Sequence, residues 1–240
     1  MSLLITLCAR GGSKGIPGKN IKPLAGRPLI DYSLSVARAV ARELSGQVAL
    51  STDDEQIRAV ARELGLPSDY QRPAELASDT AGKVDAIRDL LFFHEKQAGQ
   101  QFDLVLDLDI TSPLRTVDDI LAAYRTFEAN PEALTLFSVN NANRNPYFNM
   151  VEQQQNGFYY FVKTNDGAPL SRQAAPRVYE LNASFYFYRR SFFDLGLNRA
   201  ITDKSLIYEM PHICFDLDHP IDFDFLEFLI LQSKLEFDLI

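Results

Sequence analysis

The sequence predicts an α/β fold, with a mostly parallel sheet and helices on both of its faces. Three observations carry this. Strand-like and helix-like segments alternate through the first half of the chain, the order that builds parallel sheets. A basic, glycine-rich stretch follows the first strand, at the carboxyl edge where such sheets bind ligands. A chain of 240 residues with 46% apolar content can fill the core of one large domain spanning residues 1–240.

Each element has its own signal. Leu3–Cys8 is a short apolar run and reads as a buried strand. Pro28–Leu44 carries helical apolar spacing (Leu29, Ile30, Leu34, Val36, Ala37, Val40, Ala41), opens on a favoured first helical residue and ends at Ser45-Gly46. Gln47–Ser51 is the second strand. Asp54–Leu64 is a helix capped by Thr52 or Asp53 and stopped by Gly65. After a loop comes the helix Gly82–Lys96, then the strand Leu104–Leu108, the helix Val117–Ala129 and the strand Ala133–Val139. The second half is different. Asn140–Tyr147 is polar and turn-rich, and Gly157–Val162 and Ser184–Arg189 are aromatic and β-prone. Residues 140–180 therefore read as an inserted excursion or as an antiparallel extension of the sheet. Ile213–Asp218 returns to the core as a strand, and Ile221–Leu231 is an amphipathic closing helix.

Composition narrows the function. A net charge of −8 makes the chain a poor partner for nucleic acid polymers. No apolar run reaches membrane-spanning length, and the apolar start is too short for a signal peptide, so a cytoplasmic protein is expected. Cys8 and Cys214 sit in apolar runs and read as two buried thiols. His94, expected on a helix surface, His212 and His219 show no metal-ligand spacing.

The stretch Ala9-Arg10-Gly11-Gly12-Ser13-Lys14-Gly15-Ile16-Pro17-Gly18-Lys19-Asn20 concentrates three cations with no acid, and the first acidic residue of the chain is Asp31. Glycines let backbone N–H groups approach an anion closely, and Arg10, Lys14 and Lys19 supply charge, so a polyphosphate is the fitting ligand. The spacing excludes two familiar phosphate loops. A G-x-x-x-x-G-K-[ST] loop would need glycine at Ser13 and a hydroxyl at Asn20, and the G-x-G start of a dinucleotide fingerprint is missing.

Asp216 and Asp218 alternate just before the last helix. Two carboxylates on one face of a strand end suit Mg²⁺, while Asp218 ahead of His219-Pro220 is equally suited to cap the helix. Arg72 has a forked donor set for a base or a phosphate. By itself, Ala77-Ser78-Asp79-Thr80 reads as a capped helix start.

The loop, followed by Ile21-Lys22-Pro23-Leu24-Ala25-Gly26-Arg27-Pro28-Leu29-Ile30, resembles the N-terminal signature of the acylneuraminate cytidylyltransferases. Gln71 to Ala81 is close to the family pattern R-P-x-E-L-A-x-D-x-A, Ser51-Thr52-Asp53 matches its S-T-D element, and Thr111-Ser112-Pro113-Leu114-Arg115 its T-S-P-L-R. Phe215-Asp216-Leu217-Asp218 stands where the family has its metal-binding I-D-I-D.

The resemblance implies a Rossmann-like, three-layer nucleotide-diphosphosugar transferase fold, with residues 140–180 as an inserted dimerisation subdomain and a homodimer as the working form. It implies transfer of CMP from CTP to the anomeric hydroxyl of an acidic nine-carbon sugar, with Mg²⁺ on Asp216 and Asp218. Arg10, Lys14, Lys19 and Asp218 are the implied catalytic residues. Ala9, Arg10, Gly11, Gly12, Ser13, Lys19, Asn20, Arg72 and Ala81 would hold the nucleotide, Asn20 and the backbone near Ala81 reading cytosine. Asp109, Arg172 and Asn182 would hold the sugar, Arg172 pairing with its carboxylate. Asp109 departs from the glutamine common in the sialate enzymes and points toward legionaminate-type sugars. Other readings are an eight-carbon octulosonate as acceptor, or a nucleotide-sugar binding module without catalysis.

Overall fold

The computed structural model describes residues 2–12, 15–164 and 171–240. Strand β1 (Leu3–Cys8) lies between β4 (Gln47–Ser51) and β5 (Leu104–Leu108), parallel to both. Its register pairs Cys8 with Ser51 and Leu7 with Leu108, so the three strands end at one level and the segments after them emerge side by side. That shared edge positions the site.

Between β1 and β4 lie a short hairpin of β2 (Pro23–Leu24) and β3 (Arg27–Pro28) and the helix α1 (Leu29–Leu44). Pro28 belongs to the hairpin and caps α1, which begins one residue later than expected. Its end is made by Ser45 in the left-handed region, φ +53°. Gly46 answers a packing need instead, because a Cβ there would stand 3.3 Å from side-chain atoms of Ile5 and Leu3. Helices α2 (Glu55–Glu63), α3 (Lys83–Ala98) and α4 (Val117–Glu128) fall where their apolar periods place them. The cap of α2 is Asp54, which accepts from the backbone N–H groups of Gln56 and Ile57, and not Thr52 or Asp53.

The second half brings the corrections. Strand β6 (Thr135–Asn141) is followed by a separate two-stranded hairpin of β7 (Val151–Gln153) and β8 (Tyr159–Phe161). The long β9 (Tyr179–Arg189) then runs antiparallel between β5 and β6, and after α5 (Arg190–Asp194) the strand β10 (Ser205–Glu209) pairs parallel with β6. The main sheet order is β10-β6-β9-β5-β1-β4. Ile213–Asp218 forms no strand; it is an extended segment that enters α6 (Pro220–Leu231). Nor is α6 amphipathic. Phe223, Leu226 and Leu229 are buried, yet Ile221, Phe225, Phe228 and Leu231 are exposed, so apolar side chains cover both faces.

Alternation along the central strands divides the core into two. Leu3, Ile5 and Leu7 pack with α1, α2, α4 and α6, while Leu4, Ala49 and Val105 pack with α3 and α5 on the other face. The result is three layers.

Candidate active site

A cleft of about 410 Å³ opens at the carboxyl edge of β1 and β5, walled by the loop after β1, the segment leading into α3, and Asp218. The loop is fixed at its root. Ala9 donates to the Ser51 carbonyl at 2.9 Å, Gly11 donates to Asp53 Oδ1 at 3.1 Å, and the buried Asn20 amide donates to the Arg10 carbonyl at 3.0 Å. Asp53 thus ties the phosphate-type loop to the neighbouring strand end, which leaves Asp54 to cap α2. Gly18, at φ +63°, turns the chain into the short 3-10 turn carrying Lys19. Lys19 Nζ donates to the Leu217 carbonyl at 2.6 Å and lies 3.9 Å from Asp218 Oδ1. At Gly15 a Cβ would run into the Asp218 backbone carbonyl, so the first loop and the last extended segment meet backbone to backbone.

The cleft also gathers Arg10, Asn20, Arg72, Ala81 and Asp109. Arg10 Nη1 reaches the Ser78 carbonyl and Asp79 Oδ1, each at 3.3 Å. Arg72 is buried, its Nε on Ser51 Oγ and its Nη2 on the Ser51 carbonyl, both at 2.8 Å. Ala81 donates its N–H to the Ser78 carbonyl at 3.2 Å. Ser13 and Lys14 lie outside the described residues, as does the side chain of Arg172, whose backbone belongs to the 3-10 turn Arg172–Ala174.

Asn182 stands apart from the cleft wall. Its amide is buried, accepting from Ser138 Oγ at 2.6 Å and donating to Asn140 Oδ1 at 2.7 Å, so in this structure it joins β9 to β6.

The two aspartates before α6 differ sharply. The Asp218 side chain is 69% exposed beside Lys19. Asp216 Oδ1 is buried, with no hydrogen-bond partner among the described residues. Burial raises the Asp216 pKa, and the charges of Asp109 and Asp218 add to the rise. The segment is held by Leu217 N–H on the Thr111 carbonyl at 2.9 Å and by Ser112 Oγ on the Phe215 carbonyl at 3.1 Å. The helix cap position falls to His219, whose N–H donates to Asp222 Oδ2 at 2.7 Å, and not to Asp218. Among the described residues, no cluster of three or more His, Cys, Asp or Glu is shaped to hold a metal.

Three charged groups to which the sequence assigned no role support the cleft: Lys83, whose side chain is partly exposed, and the buried Asp107 and Arg115. Lys83 Nζ bridges Asp107 Oδ2 at 2.7 Å and Asp109 Oδ2 at 2.6 Å. Asp107, an acid inside the apolar strand Leu104–Leu108, was the available signal. Arg115, legible only as the end of T-S-P-L-R, donates to the carbonyls of Ser112 at 2.7 Å, Ser184 at 2.6 Å and Asp109 at 2.7 Å, locking the β5 loop to β9. Burial lowers its pKa to about 10. Cys8 and Cys214 are free thiols; Cys214 is buried as expected, while Cys8, at the strand end facing the cleft, is only partly buried. Cys8 lines the cleft, and burial and then the Asp107 charge push its pKa up to about 12, so it is unreactive. His94 is half-buried against Gln47 rather than set on a helix surface.

Comparison with known proteins shows the family. The profile described as cytidylyltransferase matches residues 4–237. The chain belongs to the cytidylyltransferase family, on the branch it shares with the acylneuraminate cytidylyltransferases, and is a nucleotidyltransferase. The post-translational flagellin modification protein B of Campylobacter coli is 38% identical over 236 residues, 98% of this chain and 97% of that one. The CMP-N,N'-diacetyllegionaminic acid synthase of Campylobacter jejuni is 37% identical over 97% of each chain. A solved structure of CMP:2-keto-3-deoxy-manno-octonic acid synthetase complexed with CTP superposes with a TM-score of 0.67 at 16% identity, covering 97% of this chain and all of that one, a likeness of fold. No helix among the described residues is long and apolar enough to cross a membrane.

Proposed function

We propose that the enzyme transfers CMP from CTP to the anomeric hydroxyl of a nine-carbon α-keto acid sugar of the legionaminic or sialic type, in the cytoplasm and as a homodimer. The observation that carries the reading is the cleft itself. It gathers Arg10 and Lys19 of the glycine loop and Arg72 of a second segment around one space in an otherwise acidic chain and sets Asp218 at its rim. The anomeric oxygen attacks the α-phosphorus, the bond from that phosphorus to the β-phosphate oxygen breaks, and pyrophosphate leaves as the hydroxyl proton is released. Arg10, Lys14 and Lys19, with the N–H groups of the glycine loop, offset the triphosphate charge and the charge developing on pyrophosphate. Ala9 to Ser13, Asn20, Arg72 and Ala81 form the nucleotide side; Asp109, with Arg172, forms the sugar side, and Asn182 supports it from the β6–β9 seam.

The donors before α6 fit a magnesium ion. Asp216 and Asp218 are hard oxygen ligands, the Oδ1 of Asp216 is buried without a hydrogen-bond partner among the described residues, and Mg²⁺ binds through one or two carboxylates together with substrate phosphates. Bound there, it would polarise the α-phosphate. Lys19 holds the Leu217 carbonyl between those two residues, so it fixes the segment as well as facing the phosphates.

The identity of 37% to a legionaminic acid synthase supports that sugar class. The test is pyrophosphate release from CTP across legionaminic, sialic, pseudaminic and octulosonic acids with Mg²⁺. Turnover should be fastest with a nine-carbon acid, and Lys19→Ala should retain the fold while losing about 10²–10³ in rate. CTP binding without pyrophosphate release with any acid would leave a binding module in place of the enzyme proposed.

A further inference from the structure

Lys83 enters the cleft wall from the first turn of α3 and ends between two carboxylates. Each of those carboxylates has its other oxygen filled. Thr6 Oγ1 donates to Asp107 Oδ1 at 2.7 Å, and the backbone N–H and the hydroxyl of Thr111 donate to Asp109 Oδ1, each at 3.0 Å. The two remaining oxygens, Asp107 Oδ2 and Asp109 Oδ2, converge on one ammonium at 2.7 and 2.6 Å. Burial alone would drive this amine toward neutrality. The charges of Asp107 and Asp109 outweigh it and hold its pKa well above that of an ordinary lysine, so the cation persists at any working pH.

Two converging carboxylate oxygens are also what a divalent ion takes. A third carboxylate, Asp216, lies close enough for the Asp109 charge to raise its pKa. Yet the point of convergence is filled by the chain's own side chain.

We infer that Lys83 is a tethered cation: it holds the Asp107–Asp109 position against divalent ions and confines exchangeable metal to Asp216 and Asp218. Its second half rests on the metal reading of that pair. Asp109 then faces substrate as a neutralised carboxylate and is not a metal ligand. One positive charge of the cleft stays in place when metal is stripped.

The test counts Mn²⁺ bound per full-length chain, by electron paramagnetic resonance of the free ion, with folding checked by circular dichroism. Lys83→Met should bind one more Mn²⁺ than the parent, and Lys83→Met combined with Asp109→Asn should return to the parental count. Equal counts in the parent and a folded Lys83→Met overturn the inference. Should Lys83→Met fail to fold, Asp109→Asn alone decides, because it keeps the Lys83–Asp107 pair. Unchanged Mn²⁺ affinity supports the inference, and a tenfold or greater loss makes Asp109 a ligand and overturns it. Asp216→Asn tests the underlying reading separately. It should abolish parental Mn²⁺ binding, and if it does not, the Asp216–Asp218 assignment fails while the Lys83 comparison still stands.

Discussion

Asp109 and Asp216 are neighbouring carboxylates that burial treats alike and their partners treat oppositely. Burial raises both, but at Asp109 the Lys83 charge and its hydrogen bond, together with Thr111, reverse the shift and lower the pKa. At Asp216 the Asp109 and Asp218 charges reinforce it, and the pKa stays raised. The consequence for stability has a definite sign. A carboxyl raised in the folded state binds its proton more tightly folded than unfolded. Its contribution is therefore fully present below the unfolded value and is lost as pH rises through the folded one. At neutral pH Asp216 burdens the fold, as residues built for a ligand do. Asp216→Asn should accordingly melt at a higher temperature than the parent at pH 7, with the gap closing toward pH 4. Thermal melts at the two pH values check this, and a variant that melts lower at pH 7 contradicts the account.

At the scale of elements, the start of the Asp216 segment is tied by an ion pair reaching from the first turn of α4. Asp119 closes a capping box with Thr116, and its Oδ2 lies 3.0 Å from His212 Nε2. Tyr208 donates to Asp119 Oδ1 at 3.2 Å, and the Phe237 ring packs on His212 at 4.0 Å. Burial lowers the His212 pKa, but the Asp119 hydrogen bond, the Ile213 carbonyl and the Asp119 and Glu236 charges outweigh it, and the net shift is upward. For Asp119, burial acts upward and the His212 and Thr116 hydrogen bonds prevail, lowering it. The histidine's contribution is complete below its unfolded pKa and fades as pH rises through the raised one, while that of Asp119 is lost as pH falls through its depressed value. His212→Gln should therefore destabilise by about 2 kcal/mol near pH 5.5, the scale of a charged hydrogen bond, and by clearly less at pH 8.5. Urea unfolding at both values measures it. None of this was legible in the sequence, where His212 matched no metal spacing. Periodicity located α1 to α4 and β1, β4, β5 and β6, since it records which face is buried. It does not record strand partners, so the antiparallel placement of β9 and the strand β10 were not readable. Among Thr52, Asp53 and Asp54, all able to cap, the choice depended on Gly11 claiming Asp53 from another strand. Lys83 escaped for the same reason, because its partners lie 24 and 26 residues away on the next strand and its loop.

For the whole molecule, the question is what covers the hairpin of β7 and β8. Two strands of three residues each are marginal alone, and among the described residues this pair forms a sheet of its own. It nevertheless presents Phe158, Tyr159 and Tyr160 at 75%, 65% and 56% exposure, beside Met150 and Val151. Contiguous apolar surface of this kind marks an interaction site. On the proposal of a homodimer, a second copy would bury this aromatic face of the hairpin. A second apolar face exists on α6, at Ile221, Phe225, Phe228 and Leu231, and the two are separable by experiment. In sedimentation velocity at tens of micromolar the parent should run as a dimer. Phe158→Glu with Tyr160→Glu should run as a monomer with an unchanged circular dichroism spectrum, because neither side chain supports the core. Phe225→Glu with Phe228→Glu should leave the dimer intact. A parent that sediments as a monomer removes the dimer from the proposal, and dissociation by the α6 pair alone moves the interface to that helix.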